Sequence, residues 1–570
     1  MDSRINIAIL ASALVMLLET SPAEAQTPPV AQGAVQVQSL DQVEPFRVGA
    51  RSGIAYAMSA QQWRGTSAAI AAKLISDLPQ AGASPLLNRL AASVLMAPSD
   101  PPAGSQADSA LASLRLASVY RLGALEAVID LAERSPGGLS DPENAAIASR
   151  AFLALGQDKQ ACDTASRLQK GRGAVFWLKL RAFCLARQGN TAAAELSADL
   201  ATEADPDDTD FLLALNRMLV KDTAPVKPIN ALELAMARYA GAPVDLSDAP
   251  LALHSAMVHA GGLAAIAAAR HMAQTGMLQT RILAKLYLAW PGTAKPAKPV
   301  PAPAVTAASE AQSVPDDGGA ARLERALAQS GDARAALLYQ SAALASSNAV
   351  RADAIAAGLH HESRFAGFLS AARLYAPLLQ KLAPEDVHQS DRQTLFSYAL
   401  LAGGQAKQAR GFVTAGAAAP DSPAMARLLT LYANTPPGAP DHGPDNTEKA
   451  VEQDRLAYID LMALGALGKP LKSSARQFLF SHLADTEEYT PCAAGARAAI
   501  TTGAARPVRA ATILRAALML ADSGFDNASP ECGAAVIQAL RALAYTGPAR
   551  QAALEMMLGP RWRALDHAHE

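Results

Sequence analysis

The chain has 570 residues and a mass of 59.0 kDa, too long for one ordinary hydrophobic core, so two to four globular domains or one extended repeat array are the alternatives. Half of its residues are hydrophobic but only 5% are aromatic; the apolar mass is mostly Ala and Leu, which suits close-packed helices and gives sheets little support. Lys plus Arg total 50 against 52 for Asp plus Glu, a net charge of -2, and with no long basic stretch this argues against a nucleic-acid face.

Ile5 to Leu18 (INIAILASALVMLL) is an apolar run of fourteen residues, short of the ~20 that span a bilayer. Ala23-Glu24-Ala25 follows it with the small-x-small pattern that signal peptidase accepts. Residues 1–25 therefore read as a signal peptide cut before Gln26, although Arg4 is the lone basic residue ahead of the run and Asp2 offsets it. Retention as an uncleaved anchor is the alternative. Cleavage removes one base (Arg4) and three acids (Asp2, Glu19, Glu24), leaving 49 of each in a neutral mature chain. An Ala-rich exported chain of this kind points to the periplasm of a Gram-negative bacterium, with no stable membrane span after cleavage.

Residues 26–62 read as an extended N-terminal arm. A helix is expected over Ser67 to Leu78, with Thr66 as its cap, and another over Pro85 to Leu95, before the break at Ala97-Pro98-Ser99-Asp100-Pro101-Pro102. Three segments then share a spacing: Gly123-Ala-Leu-Glu-Ala-Val128, Gly156-Gln-Asp-Lys-Gln-Ala161 and Gly189-Asn-Thr-Ala-Ala-Ala194, with glycines 33 residues apart both times. Each lies between two amphipathic patterns and reads as the turn of a helical hairpin. The small residue five positions on lets the paired helices approach. Similar turns recur at Gly262, Gly331 and Gly404 without a fixed period. A lone hairpin cannot bury its apolar stripe, whereas stacked hairpins can.

The expected organisation is an all-α solenoid in two arrays: a helical array over 63–290, a Pro/Ala-rich linker over 291–319 (PGTAKPAKPVPAPAVTAASEAQSVPDDGG), and a second array over 320–435. A Pro/Gly-rich break over 436–446 and a C-terminal helical region over 447–570 follow.

Segment 178–208 resembles a tetratricopeptide repeat. Leu178, Ala182, Leu185, Gly189, Ala194, Ala201 and Pro206 stand where that pattern expects them, with Leu185 in place of the usual aromatic. The resemblance is good in this unit, fair in the two before it and diffuse over 320–550. It implies antiparallel helix pairs whose concave face commonly binds peptides or protein partners. In such an array Cys162 starts the second helix of one hairpin and Cys184 sits in the first helix of the next, so a staple between them is expected. Cys492 and Cys532 suit a second one. An even cysteine count in an exported chain permits this, with buried free thiols as the alternative.

The most tempting chemistry is His360-His361-Glu362-Ser363-Arg364-Phe365. Glu-Ser-Arg-Phe resembles the catalytic helix of soluble lytic transglycosylases, which would make Glu362 a general acid on a glycosidic oxygen. The Gly-Leu-Met-Gln segment that completes the sugar cleft in that family is absent, so Glu362 reads as a residue of a helix with its charged side in solvent. His254 and His259 are five apart and miss a common helical face; His360, His361 and Glu362 are consecutive and diverge. There is no His-Glu-x-x-His, phosphate loop or Gly-x-Ser-x-Gly elbow, and Gly261-Gly262-Leu263 lacks the strand and base of a phosphate site. Trp177 reads as core, Trp290 as the end of a helix, and Trp63 and Trp562 as covers for the terminal hairpins. The expected function is a non-enzymatic periplasmic scaffold binding an envelope protein or peptide, with no cofactor, metal or nucleic acid. A peptidoglycan-cleaving enzyme using Glu362, or a purely structural spacer, is the alternative.

Overall fold

The computed structural model describes residues 44–105, 109–292, 318–415, 423–433, 448–481 and 489–567. The signal-peptide run, the arm up to residue 43, most of the 291–319 linker and the 436–446 break lie outside them. Among the described residues there are 26 α-helices, three isolated β-bridges and no strand, as the Ala- and Leu-rich composition predicts. No helix among them is long and apolar enough to cross a membrane.

The described end of the arm is packed into the core. Phe46 meets Trp63 edge-on at 6.0 Å, and the buried Arg115 guanidinium donates to the carbonyls of Pro45, Val48, Leu95 and Ala97. Helices α1 (Ala68–Asp77) and α2 (Pro85–Met96) follow. Ser67 caps α1, accepting from the Ile70 N–H. Thr66, expected in that role, is buried one residue too early to reach it.

Next come α3 (Ser109–Arg121), α4 (Leu125–Arg134), α5 (Pro142–Ala154), α6 (Asp158–Arg167), α7 (Val175–Arg187) and α8 (Thr191–Ala204). Gly123, Gly156 and Gly189 join them in pairs, with φ of 75°, 72° and 79°. In each turn the glycine N–H reaches back three residues and the next N–H reaches back five, as in Gln157 to Phe152 at 2.8 Å and Asn190 to Leu185 at 3.0 Å. This double closure requires the left-handed conformation that glycine adopts without a Cβ penalty. Val128, Ala161 and Ala194, five positions on, are fully buried between the paired helices.

The pairs stack, α4 on α5 and α6 on α7. The progression then bends. Asp208 caps α9 (Thr209–Val220) through the Phe211 N–H, α10 (Ala231–Ala240) returns onto α5 and α7, and α11 (Leu251–Met257) lies against α3, α4 and α5. Helices α12 (Gly262–Gln274) and α13 (Thr280–Ala289) precede the linker; α14 (Gly318–Leu327), α15 (Gly331–Leu344), α16 (Asn348–His360) and α17 (Phe365–Leu379) follow it. Both α12 and α13 pack against α15 and α17.

The remaining helices are α18 (Ser390–Ala402), α19 (Ala406–Ala415), α20 (Pro423–Thr430), α21 (Glu448–Ala466), α22 (Ser473–Ser481), α23 (Ala494–Ala505), α24 (Arg509–Met519), α25 (Pro530–Ala542) and α26 (Thr546–His567). Here the two ends of the described chain meet: α24 packs on α1 and α2, and α26 on α2, α17, α18 and α21. One buried cluster therefore runs from Phe46 to Trp562. Trp562 stacks on Phe368 at 4.3 Å, so it fills an interior junction where the sequence suggested a cover for an open end.

Disulfides Cys162–Cys184 and Cys492–Cys532 are both formed, with Cα separations of 5.8 and 6.0 Å. The first ties α6 to α7, the neighbouring-pair relation expected of it. Buried Asp460 on α21 accepts from Arg427 of α20 at 2.7 Å and from Arg561 of α26 at 2.8 and 2.7 Å, an ionic knot at the meeting of three helices.

Candidate functional site

Glu362 is not on a helix with its charge in solvent. Helix α16 stops at His360 and α17 starts at Phe365, leaving Glu362 in the turn with only 8% of its surface exposed. Arg270 of α12 donates to Oε1 at 2.9 Å, and Gln274, one turn on, donates to Oε2 at 3.0 Å. Arg270 also holds Asp332 of α15 at 2.6 Å. Burial pushes the Arg270 guanidinium down, but Glu362, Tyr287 and Asp332 outweigh it and raise its pKa above the ordinary range.

The other face of the carboxylate is closed by backbone. A Cβ added at Gly367 would come within 2.5 Å of Oε2. The void beside Glu362, lined by Tyr287, Tyr375 and Gly358, measures about 10 Å³, room for one water at most. That void is too small for a sugar ring, and the carboxylate's bonds join the turn before α17 to α12, whose Arg270 in turn holds α15 through Asp332. His361 meets the Gly331 carbonyl at 2.9 Å and His360 faces the Trp562 ring. The three consecutive residues diverge, as their spacing predicts.

His254 and His259 do not converge either, yet His254 has a partner that the sequence reading missed. It stacks on His271 of α12 with ring centroids 4.1 Å apart. No local signal announced it: the two histidines sit on consecutive helices α11 and α12 at unequal distances from the connection over 258–261. Burial, then the facing His271, lowers His254 to about 4, against a hydrogen bond with the Leu246 backbone. Burial, then Arg364, lowers His271. The pair borders a cleft of about 440 Å³ with Asp245, Ser247, Arg270 and Asp332. Both acids and the base there are already engaged within the chain.

The third place combines exposure, apolarity and charge. Helix α8 buries its small residues, Ala194, Ser197, Ala198 and Ala201, which lets α7 approach closely. Its large ones point outward, with Leu196 63% exposed and Leu200 44%. This inverts the ordinary amphipathic arrangement. On α9, which touches both α8 and α10, Leu213 is 53% exposed. Between α9, the 222–230 loop and α10 lies a cleft of about 340 Å³, with Leu213 and Ile229 at its lips and Met236 and Ala240 among its lining.

The charge around this face is one-sided. From Arg187 to Arg217 no basic residue intervenes, while Glu195, Asp199, Glu203, Asp205, Asp207, Asp208 and Asp210 all occur. Lys179 of α7 bridges Asp205 and Asp208. The other five are exposed and in no ion pair among the described residues. The bases in the cleft are already matched, Arg217 with Asp222 at 3.7 Å and Lys227 with Asp245 and Asp248 at 3.4 and 3.2 Å. Burial, ahead of the Ile229 N–H and Asn230, raises the pKa of Glu233 in the wall. Asp205-Pro206-Asp207-Asp208 reads in sequence only as a helix stop; the run without bases on either side was the legible sign of a charged surface.

Comparison with protein-family models, curated proteins and solved structures finds no match. The functional reading therefore rests on the residues themselves.

Proposed function

We propose that this chain is a non-enzymatic scaffold of the cell envelope, an exported array of tetratricopeptide-like helix pairs that binds another envelope protein or an exposed peptide. The observation carrying the proposal is the surface of α8, α9 and α10, where large apolar side chains stand in solvent beside a cleft of ligand-binding size. Leucines exposed on adjacent helices cost solubility, and a partner that covers them accounts for their presence. Two disulfides suit an oxidising compartment, and the apolar run with Ala23-Glu24-Ala25 suits delivery to it. The engagement of Glu362 by Arg270 and Gln274 supports a structural role for the residue that most resembles a catalytic acid.

Cross-linking and affinity capture from the native envelope test the proposal, run on wild type and Leu213→Ser, with muropeptide release measured on wild type and Glu362→Gln. The expected result is a reproducible partner lost in Leu213→Ser and no muropeptide release. Glu362-dependent release of muropeptides overturns the scaffold, and so does capture indifferent to Leu213.

A further inference from the structure

Resting on the scaffold reading, we infer that the occupant of the α8–α9 face and the α9–α10 cleft is a basic amphipathic helix of a partner protein. It carries Leu-like residues along one stripe and Lys or Arg on its flanks. Three independent features of the surface specify this chemistry.

Leu196 and Leu200 lie one helical turn apart on α8, and Leu212 and Leu213 are exposed on the helix beside it. Side chains spaced by a turn present ridges, and the complementary object is another helix whose own residues at i, i+3 and i+4 fill the spaces between them. An extended peptide is poorly served here. Among the described residues there is no strand, so no sheet edge offers its backbone a row of partners.

Five carboxylates flank those leucines with no cation of this chain on them, in a protein whose totals of acids and bases nearly cancel. Like charges held together repel, and the repulsion is relieved when cations of a partner arrive. The same acids repel anionic lipid and nucleic acid, which leaves a cationic protein segment as the class that matches both apolarity and charge. The cleft adds a pocket between Leu213 and Ile229 for one anchoring side chain. Its own bases are neutralised internally by Asp222, Asp245 and Asp248, so they do not oppose a basic partner.

The test uses the exported full chain and three synthetic peptides, each about 18 residues, or five helical turns. One is a Leu/Lys amphipathic helix, one its Leu/Glu counterpart, and one a Leu/Lys peptide of the same composition with the stripe scrambled. Fluorescence anisotropy at about 50 and about 300 mM salt reads charge dependence. The expected result is binding of the striped Leu/Lys peptide at least about tenfold tighter than either control, weakening several-fold at the higher salt. Leu196→Ser with Leu213→Ser weakens it about tenfold, and Asp199→Asn with Asp210→Asn flattens the salt dependence. Circular dichroism confirms that these surface variants keep their helix. Equal binding of the Leu/Glu peptide, or binding unchanged in the leucine variant, overturns the inference. Self-association that depends on the same leucines overturns it too, by making a second copy the occupant. If native capture is lost in Leu213→Ser while the peptides fail to discriminate, the partner chemistry assigned here is wrong and the scaffold stands.

Discussion

The acids on α8 and α9 and the buried acids packed among α12, α17, α21 and α26 are the same residue types in opposite circumstances. On the first surface, Glu195, Asp199 and Glu203 stand in water beside exposed leucines, without a cation of their own chain. In the second group three buried carboxylates have arginines: Glu362 has Arg270, Asp460 has Arg427 and Arg561, and Glu555 has Arg373 at 3.7 Å. A carboxylate removed from water must be matched within the fold. One left in water is free to be matched by something else. The contrast separates residues that build the molecule from those that give its surface a preference.

The largest expected effect is at Asp460, which is fully buried between two arginines that are themselves 5% and 4% exposed. Asp460→Ala leaves both guanidinium groups in the core without a counter-charge, and a loss of about 3–5 kcal/mol is expected. Asp207→Ala, on the exposed surface, is expected to change stability by less than about 0.5 kcal/mol. Denaturant midpoints of the two variants test the contrast directly. Near-equal midpoints erase the distinction between the regions.

Next in size is the staple beneath the acidic surface. Cys162–Cys184 links α6 to α7 across 22 residues of chain, and Cys162→Ser with Cys184→Ser is expected to cost about 2–4 kcal/mol. The second bond spans 40 residues and by loop entropy gives about 0.5 kcal/mol more. Because α7 carries Lys179 and packs against α8, the first double variant also loosens the support of the exposed leucines. Its measurable signature is faster amide exchange in α8 than in α25, with the order reversed when Cys492 and Cys532 are replaced. Identical exchange patterns in the two variants defeat this assignment.

What the sequence disclosed and what it hid divide along the same line. The turns at Gly123, Gly156 and Gly189 were legible because a helix stop is local chemistry, one residue with φ near 75° closing two hydrogen bonds. The Cys162–Cys184 staple was legible because adjacent pairs bring nearby segments together. The meeting of α1 and α2 with α24 and α26 was not, since nothing local in residues 68–96 refers to a surface more than 400 positions later. Glu362 was misread for that reason: its neighbours in sequence describe a helix end, while Arg270 and Gln274 come from another helix. The outward leucines of α8 run against the general rule that sends large apolar residues inward. Ala194, Ala198 and Ala201 take that face instead because a small-residue contact brings α7 and α8 closer than leucines allow.

A smaller effect depends on pH. His254 sits at about 4, below its ordinary 6.5, through burial and the facing His271. The folded state therefore holds fewer protons than the unfolded one between those values. This contribution to stability is complete above about pH 6.5 and is lost as the pH falls toward 4. Asp526 runs the other way: burial raises it to about 6, so its cost to the fold is present above that pH and is relieved on acidification. The two partly cancel in wild type, and comparison with His254→Phe, which keeps a stacked ring without a proton site, isolates the histidine. Between about pH 7 and 4.5 the wild type is expected to lose up to about 2 kcal/mol more than the variant, after discounting for solvent at the edge of the ring. The groups facing the pair, Arg270, Arg364, Asp245 and Asp332, are the same in both proteins. Parallel pH profiles sink the assignment.

The smallest effect on stability is also the sharpest test of the opening contrast. Side chains retained for a partner contribute little to the fold that carries them, so Leu196→Ser, Leu200→Ser and Asp199→Asn are each expected to shift stability by less than about 0.5 kcal/mol. The sign is informative as well. Glu195, Asp199 and Glu203 recur every four residues along α8 without a cation at i+4, and like charges at that spacing destabilise a helix by a few tenths of a kcal/mol. Asp199→Lys replaces two such repulsions with two attractions, so it is expected to stabilise slightly at low salt, with the gain fading as salt is raised. A residue that improves the fold when replaced is not there for the fold. If Asp199→Lys instead destabilises by more than about 1 kcal/mol, the carboxylate belongs with Asp460 among the structural acids, and the surface loses its claim to be kept for a partner.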